Sequence, residues 1–378
     1  MKKAEKIRLG ISIGDLNGIG SEVILKTFED GRMLDFCTPV IFASIKIVSY
    51  LKKYHKTNIN LHGIDEASQI TDGKVNVLNT WKEPVDINFG KEDSKIGQYA
   101  IKSLKAATHA LKNNEVDVLV TAPINKHSIQ SKEFNFPGHT DYLNKELRGN
   151  SLMFMVTDEL KVGLLTDHVA IKDIAETITP ELVTQKIQTI HHTLKQDFGV
   201  SKPKIAVLGI NPHSGDNGVI GMEDENVLKP TIKKINDQGM LVYGPYAADS
   251  FFGSNNYKSF DAIIASYHDQ GLIPFKTLSF GMGVNYTAGL DKIRTSPDHG
   301  TAFEIAGKNK ADHSSFKEAV FAALKIYKNR KEYKELTKNP LKKQPRKPQQ
   351  KNKQESNHPD AQKEKKAPFI KQRSNEEE

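Results

Sequence analysis

A repeated alternation of short apolar runs with longer amphipathic segments constrains the fold of this chain more than any other feature. The first apolar run covers residues 7–13 and leads through a glycine-containing loop into a helical pattern at about 21–28. A β-branched strand followed by a crossover helix is the repeating unit of helix-covered parallel sheets. We therefore predict an α/β fold with a largely parallel sheet.

Similar patterns recur along the chain. Further strands are predicted at 40–43, 116–121, 161–166, 204–210 and 261–266, and helices at 96–113, 180–198 and 314–336. Thr179 is placed to cap the helix at 180–198. Residues 50–95 show only short alternating pieces, which we interpret as antiparallel strands at the margin of one lobe. The length of 378 residues favours two α/β lobes, interleaved in sequence within residues 1–337.

The net charge of +8 raises the question of a nucleic-acid partner. Most of this charge falls in residues 338–378, a segment rich in Lys, Gln, Pro and Asn, so residues 1–337 are nearly neutral. The segment has too few apolar residues to offset its ordering entropy, and we predict a disordered basic tail. Nucleic-acid binding is not expected of the folded part, and weak RNA binding by the tail stays open as an alternative.

Several features favour the cytoplasm. The longest apolar runs are far shorter than the roughly 20 residues that cross a bilayer, and the first residues lack the apolar core of a signal peptide. The single cysteine, Cys37, cannot form a disulfide within the chain, as is usual in a reducing compartment. We expect a cytoplasmic protein without a membrane partner.

Three histidines, His168, His213 and His268, each follow directly after a different apolar strand. The carboxyl ends of parallel strands meet at one edge of a sheet, where open α/β sheets bind ligands. Three imidazoles with an open fourth position are typical of a catalytic site for Zn²⁺ or Co²⁺. The alternative for each histidine is an ordinary hydrogen-bonded loop residue.

A group of cationic and amide side chains suits an anionic substrate. Lys126 follows the strand predicted at 116–121, and Lys276, Asn285 and Arg294 follow the strand that precedes His268. Arginine binds carboxylate or phosphate through two parallel hydrogen bonds, and lysine supplies a point charge that can also transfer a proton. Taken singly, each residue is better explained as an ordinary solvated surface charge.

Several segments together resemble the 4-hydroxythreonine-4-phosphate dehydrogenase family, in the same order. They are GDLNGIGSE, TAPINKHS, FPGHTDYL, NPHSGD, YGPYAADSFF, SYHDQGLIPFK and GMGVNYTAGLDKIRTSPDHGTAFEIAG, and the likeness spans residues 6 to 328. The resemblance implies the two-lobed fold of isocitrate and isopropylmalate dehydrogenases, with a central cleft. It also implies a homodimer whose active sites lie at the subunit interface.

The resemblance implies a role for each matching residue. The metal would be held by His168 and His213 of one subunit and by His268 of the other. The substrate would contact His139, Thr140, Lys276, Asn285 and Arg294. The catalytic candidates are Lys126 or Lys276 for proton transfer, with Asp249 as a supporting carboxylate. The cofactor-side loop would include His299, Gly300, Thr301 and Ala302.

The reaction implied is the NAD- or NADP-dependent oxidation of 4-phosphohydroxy-L-threonine to 2-amino-3-oxo-4-phosphooxybutanoate. This β-keto acid loses CO₂ to give 3-amino-2-oxopropyl phosphate, on the route to pyridoxine 5'-phosphate and pyridoxal phosphate. One divalent ion, Zn²⁺, Co²⁺ or Mg²⁺, would assist. The alternative is a metal-dependent dehydrogenase of a related phosphorylated acid sugar, threonate or erythronate phosphate.

Overall fold

The fold is described from a computed structural model of the chain, for residues 6–132 and 134–341. These residues form twelve strands and eleven α-helices. The strands are β1 (Ile7–Ser12), β2 (Cys37–Ala43), β3 (Leu61–Ile64), β4 (Val75–Asn79), β5 (Val118–Thr121), β6 (Gly149–Val156), β7 (Lys161–Leu164), β8 (Lys204–Leu208), β9 (Leu241–Tyr246), β10 (Ala262–Ala265), β11 (Val284–Leu290) and β12 (Ile293–Pro297). The helices are α1 (Gly20–Glu29), α2 (Met33–Phe36), α3 (Ile45–Tyr54), α4 (Ser94–Lys112), α5 (His139–Glu146), α6 (Ile174–Thr177), α7 (Pro180–Phe198), α8 (Lys229–Asp237), α9 (Ala248–Gly253), α10 (His268–Ser279) and α11 (Ser314–Thr337).

The strands form one sheet in the order β3-β4-β2-β1-β5-β12-β11-β6-β7-β10-β8-β9. The six strands from β3 to β12 are parallel to one another, and so are the four from β7 to β9. Antiparallel pairing of β11 with β12 and with β6, and of β6 with β7, joins the two groups. The two parallel halves therefore run in opposite directions.

This reversal refines the predicted parallel sheet. The strands before His168, His268 and His213, namely β7, β10 and β8, are neighbours and parallel, as the sequence predicted. The strand before Lys126, β5, runs the opposite way. Lys126 therefore leaves its strand in the direction opposite to that of the three histidines.

The two faces of the sheet differ because successive side chains on a strand point to opposite sides. Residues such as Leu9, Val120 and Tyr286 belong to a continuous core that includes α1, α3, α7 and α11. On the other face the apolar residues form two separate clusters. One surrounds Leu119 with α4 and α5, and the other surrounds Ile263 with α10. The central strands between these clusters carry polar side chains on this face.

Most predicted elements are confirmed, with shifts at their ends. Helix α7 has the predicted bounds, and Thr179 caps it by accepting a hydrogen bond from the Leu182 amide at 3.2 Å. The interpretation of residues 50–95 as antiparallel strands is wrong, because β3 and β4 join the sheet parallel to β2. Helix α3, which the sequence analysis missed, is the crossover that makes parallel pairing possible.

Two further predictions concern the whole chain. No helix within the described residues is long and apolar enough to cross a membrane. The predicted disordered tail lies outside the described residues from position 342 onward.

Candidate functional site

A cavity of about 270 Å³ lies on the face of the sheet that carries the two separate apolar clusters. Side chains of alternating residues on the central strands line it, among them Thr121 at the end of β5, Met153 and Met155 on β6, and Arg294 on β12. The neighbouring residues Val120, Phe154 and Ile293 belong to the core on the opposite face. The two-residue period of the strands thus places the polar side chains of Thr121 and Arg294 in the region between the two apolar clusters.

The cavity brings together most of the predicted site residues. Those that line it are Lys126, His139, Thr140, His168, His268, Lys276, Asn285, Arg294, His299 and Gly300. Thr301, Ala302, His213 and Asp249 do not line it. Asp249 lies exposed near the start of α9, so a supporting role in the reaction is not explained by its position within one chain.

Arg294 is the most unusual charge in the cavity. Its side chain is 2% exposed and donates hydrogen bonds to the hydroxyl of Thr121 at 2.6 and 3.1 Å and to that of Thr287 at 3.1 Å. Among the described residues it forms no salt bridge with a carboxylate. Burial without a counter-charge lowers the pKa of Arg294 to about 9. A buried cation in this state favours the binding of an anion.

Three polar atoms of the lining have no hydrogen-bond partner among the residues that the structure describes. They are Nε2 of His139, Oδ1 of Asn285 and Nε2 of His299. Burial, together with the positive charges of Arg294 and Lys126, holds the pKa of His139 well below its usual value, so its imidazole is neutral. Buried polar atoms normally find partners, and a group of unpaired ones in a single cavity indicates that a ligand supplies them.

Lys276 extends from α10 into the cavity, where its ammonium lies 3.5 Å from a carboxylate oxygen of Asp298. Burial raises the pKa of Asp298, although Lys276 opposes the shift. The hydroxyl of Ser315 accepts a hydrogen bond from the Asp298 amide at 3.0 Å and so fixes the backbone at this point. Lys276 is therefore oriented before any substrate arrives.

The histidines divide into a pair and a separate residue. The rings of His168 and His268 have centroids 6.1 Å apart, and Nδ1 of His268 lies 2.7 Å from a carboxylate oxygen of Asp269. Such a contact orients an imidazole and leaves Nε2 for a metal ion. Within the described residues no group of three or more His, Cys, Asp or Glu side chains is placed to hold a metal.

His213 lies in an unusual turn, Pro212–Gly218, in which six consecutive residues have positive φ. These are His213, Ser214, Gly215, Asp216, Asn217 and Gly218. Left-handed backbone costs roughly 1–2 kcal/mol per non-glycine residue and persists where surrounding contacts impose it. The buried carboxylate of Asp224 fixes the segment that leads into the turn by accepting hydrogen bonds from the amides of Ile210 and Asn211, at 2.8 and 3.0 Å. Within the turn, the Ser214 hydroxyl donates to the carbonyl of Pro245 at 3.2 Å. The turn leaves His213 exposed.

Of the four predicted cofactor-side residues, 299–302, the first two line the cavity and the last two lie beyond it. His299 and Gly300 line the cavity, and the carbonyl of Thr301 accepts a hydrogen bond from the Ile19 amide at 3.0 Å. The glycine-containing loop before α1 is therefore packed directly against this segment. Ala302 has a φ of 45°, a left-handed conformation that turns the chain.

The sequence analysis missed two residues that the structure places at Arg294, namely Thr121 and Thr287. Both are β-branched residues in strands, where threonine is common for reasons of backbone preference alone. The available signal was the two-residue period: Thr121 ends the strand that leads to Lys126, and Thr287 lies two residues after Asn285.

Comparison with known proteins gives a consistent result. The family described as "Pyridoxal phosphate biosynthetic protein PdxA" matches residues 35–323. A 4-hydroxythreonine-4-phosphate dehydrogenase of Bacteroides thetaiotaomicron is 48% identical over 341 residues, which cover 90% of this chain and 94% of the relative. A D-threonate 4-phosphate dehydrogenase of Cupriavidus necator is 36% identical, with 82% of this chain and 95% of the relative covered.

Solved structures agree with these relatives. A 4-hydroxythreonine-4-phosphate dehydrogenase from Burkholderia phymatum superimposes with a TM-score of 0.71 at 33% identity, over 85% of this chain and 98% of the other. One from Klebsiella pneumoniae gives a TM-score of 0.74 at 30% identity, over 86% and 99% of the two chains.

Proposed function

The chain belongs to the family of pyridoxal phosphate biosynthetic proteins called PdxA, and we propose that it oxidises 4-phosphohydroxy-L-threonine with NAD⁺ as a 4-hydroxythreonine-4-phosphate dehydrogenase. The product, 2-amino-3-oxo-4-phosphooxybutanoate, then loses CO₂ to give 3-amino-2-oxopropyl phosphate. The observation that carries the proposal is the buried Arg294 without a carboxylate, in a cavity with unpaired polar atoms and two lysines.

The substrate carries two anionic groups, a phosphate and a carboxylate, and the cavity offers cations for both. Arg294 provides a planar donor group for two parallel hydrogen bonds, while Lys126 and Lys276 provide point charges. The unpaired atoms of His139 and Asn285 can take the remaining donors and acceptors of the ligand. His139 is followed by Thr140 at the start of α5, where backbone amides also face anions.

The imidazole pair fits part of a metal site. Nitrogen ligands bind Zn²⁺ at about 2.0–2.1 Å, so two imidazoles on one ion have centroids about 5–6 Å apart, close to the 6.1 Å between His168 and His268. We propose that His213 of a second copy completes the site, which differs from the division between subunits that the resemblance implies. When bound, a divalent ion such as Zn²⁺, Co²⁺ or Mg²⁺ supplies Lewis acidity that lowers the pKa of the substrate hydroxyl.

A second copy is also supported by the surface around His213. Val219, Ile220 and Met222 follow it in the chain and are exposed by 83%, 47% and 50%. Ile273 on α10, five residues after His268, is 63% exposed. Large exposed apolar side chains that follow both histidines in the chain favour a homodimer in which the metal site is shared.

The cofactor is proposed to bind at the segment from His299 to Ala302, with NADP as the alternative to NAD. When bound, the nicotinamide accepts the hydride. Lys126 or Lys276 takes the hydroxyl proton, for which that lysine has to be in its neutral amine form while the other stays a cation. Asp298 fixes the position of the Lys276 side chain. Asp249 would support the reaction only from a neighbouring copy, because it lies outside the cavity of its own chain.

We also propose that the chain has two lobes around a central cleft. The two parallel halves of the sheet, each with its own apolar cluster beside the cavity, support two lobes around a central cleft, as in isocitrate and isopropylmalate dehydrogenases. A cytoplasmic location suits a reaction that uses NAD and a phosphorylated amino acid.

The second candidate is a dehydrogenase of threonate or erythronate phosphate, favoured by the 36% identity to the Cupriavidus necator enzyme. The test is NADH formation by the purified full-length protein with each acid, using NAD⁺ and NADP⁺ in parallel, before and after chelation and with His213→Ala. We expect the highest kcat/KM with 4-phosphohydroxy-L-threonine and loss of turnover after chelation. A higher kcat/KM with threonate phosphate would establish the second candidate instead.

A further inference from the structure

The loop between β12 and α11, residues 298–313, has to be held by contacts with other parts of the chain. It contains no strand and no α-helix, and its internal backbone hydrogen bonds are three short turns between residues 302 and 308. A loop of this length without regular structure is usually functional and is ordered by its surroundings. His299 and Gly300, at its beginning, line the cavity.

The beginning of the loop is fixed by the segment before α1. The Ile19 amide donates to the carbonyl of Thr301 at 3.0 Å. A side chain at Gly18 would bring a Cβ atom to 2.9 Å from the same carbonyl oxygen. The close approach of the two backbones therefore requires glycine at position 18.

The end of the loop is fixed by α1 itself, through Glu22 and Lys26. The Ala311 amide donates to Oε1 of Glu22 at 2.8 Å. The Lys26 ammonium donates to the carbonyls of Ala311 and Asn309 at 2.9 and 3.2 Å, and also to Oε1 of Glu22 at 2.8 Å. One turn of α1 thus holds both the N–H and the C=O of a single loop residue.

The burial of Glu22 is too unfavourable to be incidental. Its side chain is 1% exposed, and its second oxygen, Oε2, has no hydrogen-bond partner in residues 6–132 and 134–341. A buried carboxylate destabilises a protein unless its partners compensate, and an apolar residue at such a site often gives equal or greater stability. The position that Glu22 imposes on the loop therefore accounts for its burial better than a gain in stability does.

We propose that Glu22 and Lys26 are positioning residues for the cofactor, which hold the loop so that His299 to Thr301 face bound NAD. Because α1 fixes the end of the loop and the segment before α1 fixes its beginning, the two contacts act on the loop as a unit. The inference rests on the proposed function, which assigns this loop to the cofactor.

The test uses Glu22→Ala and Glu22→Gln in the full-length protein. Calorimetric titration gives Kd for NADH, and steady-state rates give KM separately for NAD⁺ and for 4-phosphohydroxy-L-threonine. For Glu22→Ala we expect Kd and the NAD⁺ KM to rise about tenfold, the worth of one charge-assisted hydrogen bond. The KM for the phosphorylated substrate changes by less than about twofold. Glu22→Gln keeps an acceptor for the Ala311 amide and gives a smaller rise.

Asp30→Asn is the matched control, because Asp30 follows the same helix and pairs with Arg32 rather than with the loop. It should leave both KM values unchanged. If Glu22→Ala does not fold, Lys26→Met tests the same contact and should also raise Kd for NADH. Unchanged NADH affinity in a folded variant, or an equal rise of both KM values, overturns the proposal. A wild-type protein that neither binds NADH nor oxidises the substrate overturns the proposed function itself.

Discussion

Two buried arginines of this chain lie on opposite faces of the same sheet and have opposite surroundings. Arg330 on α11 donates to both carboxylate oxygens of Asp197, at 2.6 and 3.2 Å, and to the hydroxyl of Tyr286 at 2.9 Å. Within the described part of the chain, Arg294 has only threonine hydroxyls as partners. Strand β11 contributes to both, since Tyr286 faces Arg330 and Thr287 faces Arg294.

The surroundings of the two arginines indicate different roles, stability for Arg330 and ligand binding for Arg294. The charge of Arg330 is compensated within the chain, so removing it would leave Asp197 buried without a partner. The charge of Arg294 is not compensated, so the folded chain bears the cost of its burial until an anion binds. A buried arginine without a counter-charge therefore marks the site of ligand binding.

Arg294→Met should have the largest effect on activity. Loss of two charge-assisted hydrogen bonds to an anionic group lowers kcat/KM for 4-phosphohydroxy-L-threonine by about 10³-fold. The melting temperature should stay equal or rise, because an unpaired buried cation is removed. Initial rates and calorimetric melting measure the two effects. A fall of the melting temperature comparable with that of an Arg330 variant would remove the distinction between the arginines.

Arg330→Met should show the reverse pattern. We expect a loss of about 3–5 kcal/mol in the free energy of unfolding, because Asp197 becomes an uncompensated buried charge. The kcat/KM of the folded fraction should change by less than about threefold, since α11 packs on the face opposite the cavity. Urea unfolding measures the first quantity. A retained free energy of unfolding would contradict the structural role of this network.

Asp15 tests whether a buried carboxylate without a counter-charge also destabilises the folded chain. It is 1% exposed, and one of its carboxylate oxygens has no hydrogen-bond partner among the described residues. Burial raises its pKa from 3.8 to about 6. An acid with a raised folded pKa binds more protons when folded, so its contribution to stability is lost as the pH rises from about 4 to about 6. Asp15→Asn should therefore be more stable than the wild type at pH 8, by about 2–3 kcal/mol. Near pH 3 the advantage should vanish; an equal difference at both pH values would show that titration is not its cause.

The smallest effects should come from neighbours on β11. Tyr286→Phe removes the hydroxyl that donates to Asp197 and should lower the free energy of unfolding by about 1–2 kcal/mol with little change in activity.

Thr287→Val keeps the shape of the side chain but removes a partner of Arg294, and should raise KM for the substrate about threefold to tenfold with little change in stability. Parallel unfolding curves and rates would show whether the two faces respond independently.

The contrast between the core face and the cavity face of the sheet also explains which parts of the fold could be predicted from the sequence. Elements with a uniform periodic pattern, such as α7 and the strands before the three histidines, were found from the sequence because their apolar residues repeat along one face. The central strands β6, β11 and β12 were not found. In β11 and β12, core residues alternate with Asn285, Thr287 and Arg294, which face the cavity, so no apolar run marks these two strands. Strand β6 does contain an apolar run, residues 152–156, which the sequence analysis overlooked.

Most residues of the candidate site could be predicted because polar side chains interrupt the apolar pattern at the ends of strands. Charged and imidazole side chains next to strand ends stand out in a sequence, and ten of the predicted site residues line one cavity. Sequence alone could not show that Lys126 comes from a strand that runs opposite to those before the histidines. That relation depends on the antiparallel pairing of β6 and β11, which connects residues far apart in the chain.

The most direct test of the role of Arg294 is a crystal structure of the protein with 4-phosphohydroxy-L-threonine. We predict a phosphate or carboxylate oxygen of the substrate within hydrogen-bonding distance of the Arg294 guanidinium, and ligand atoms paired with His139 and Asn285. A substrate bound outside this cavity, or one whose anionic groups contact other residues while Arg294 keeps only Thr121 and Thr287, would contradict the account.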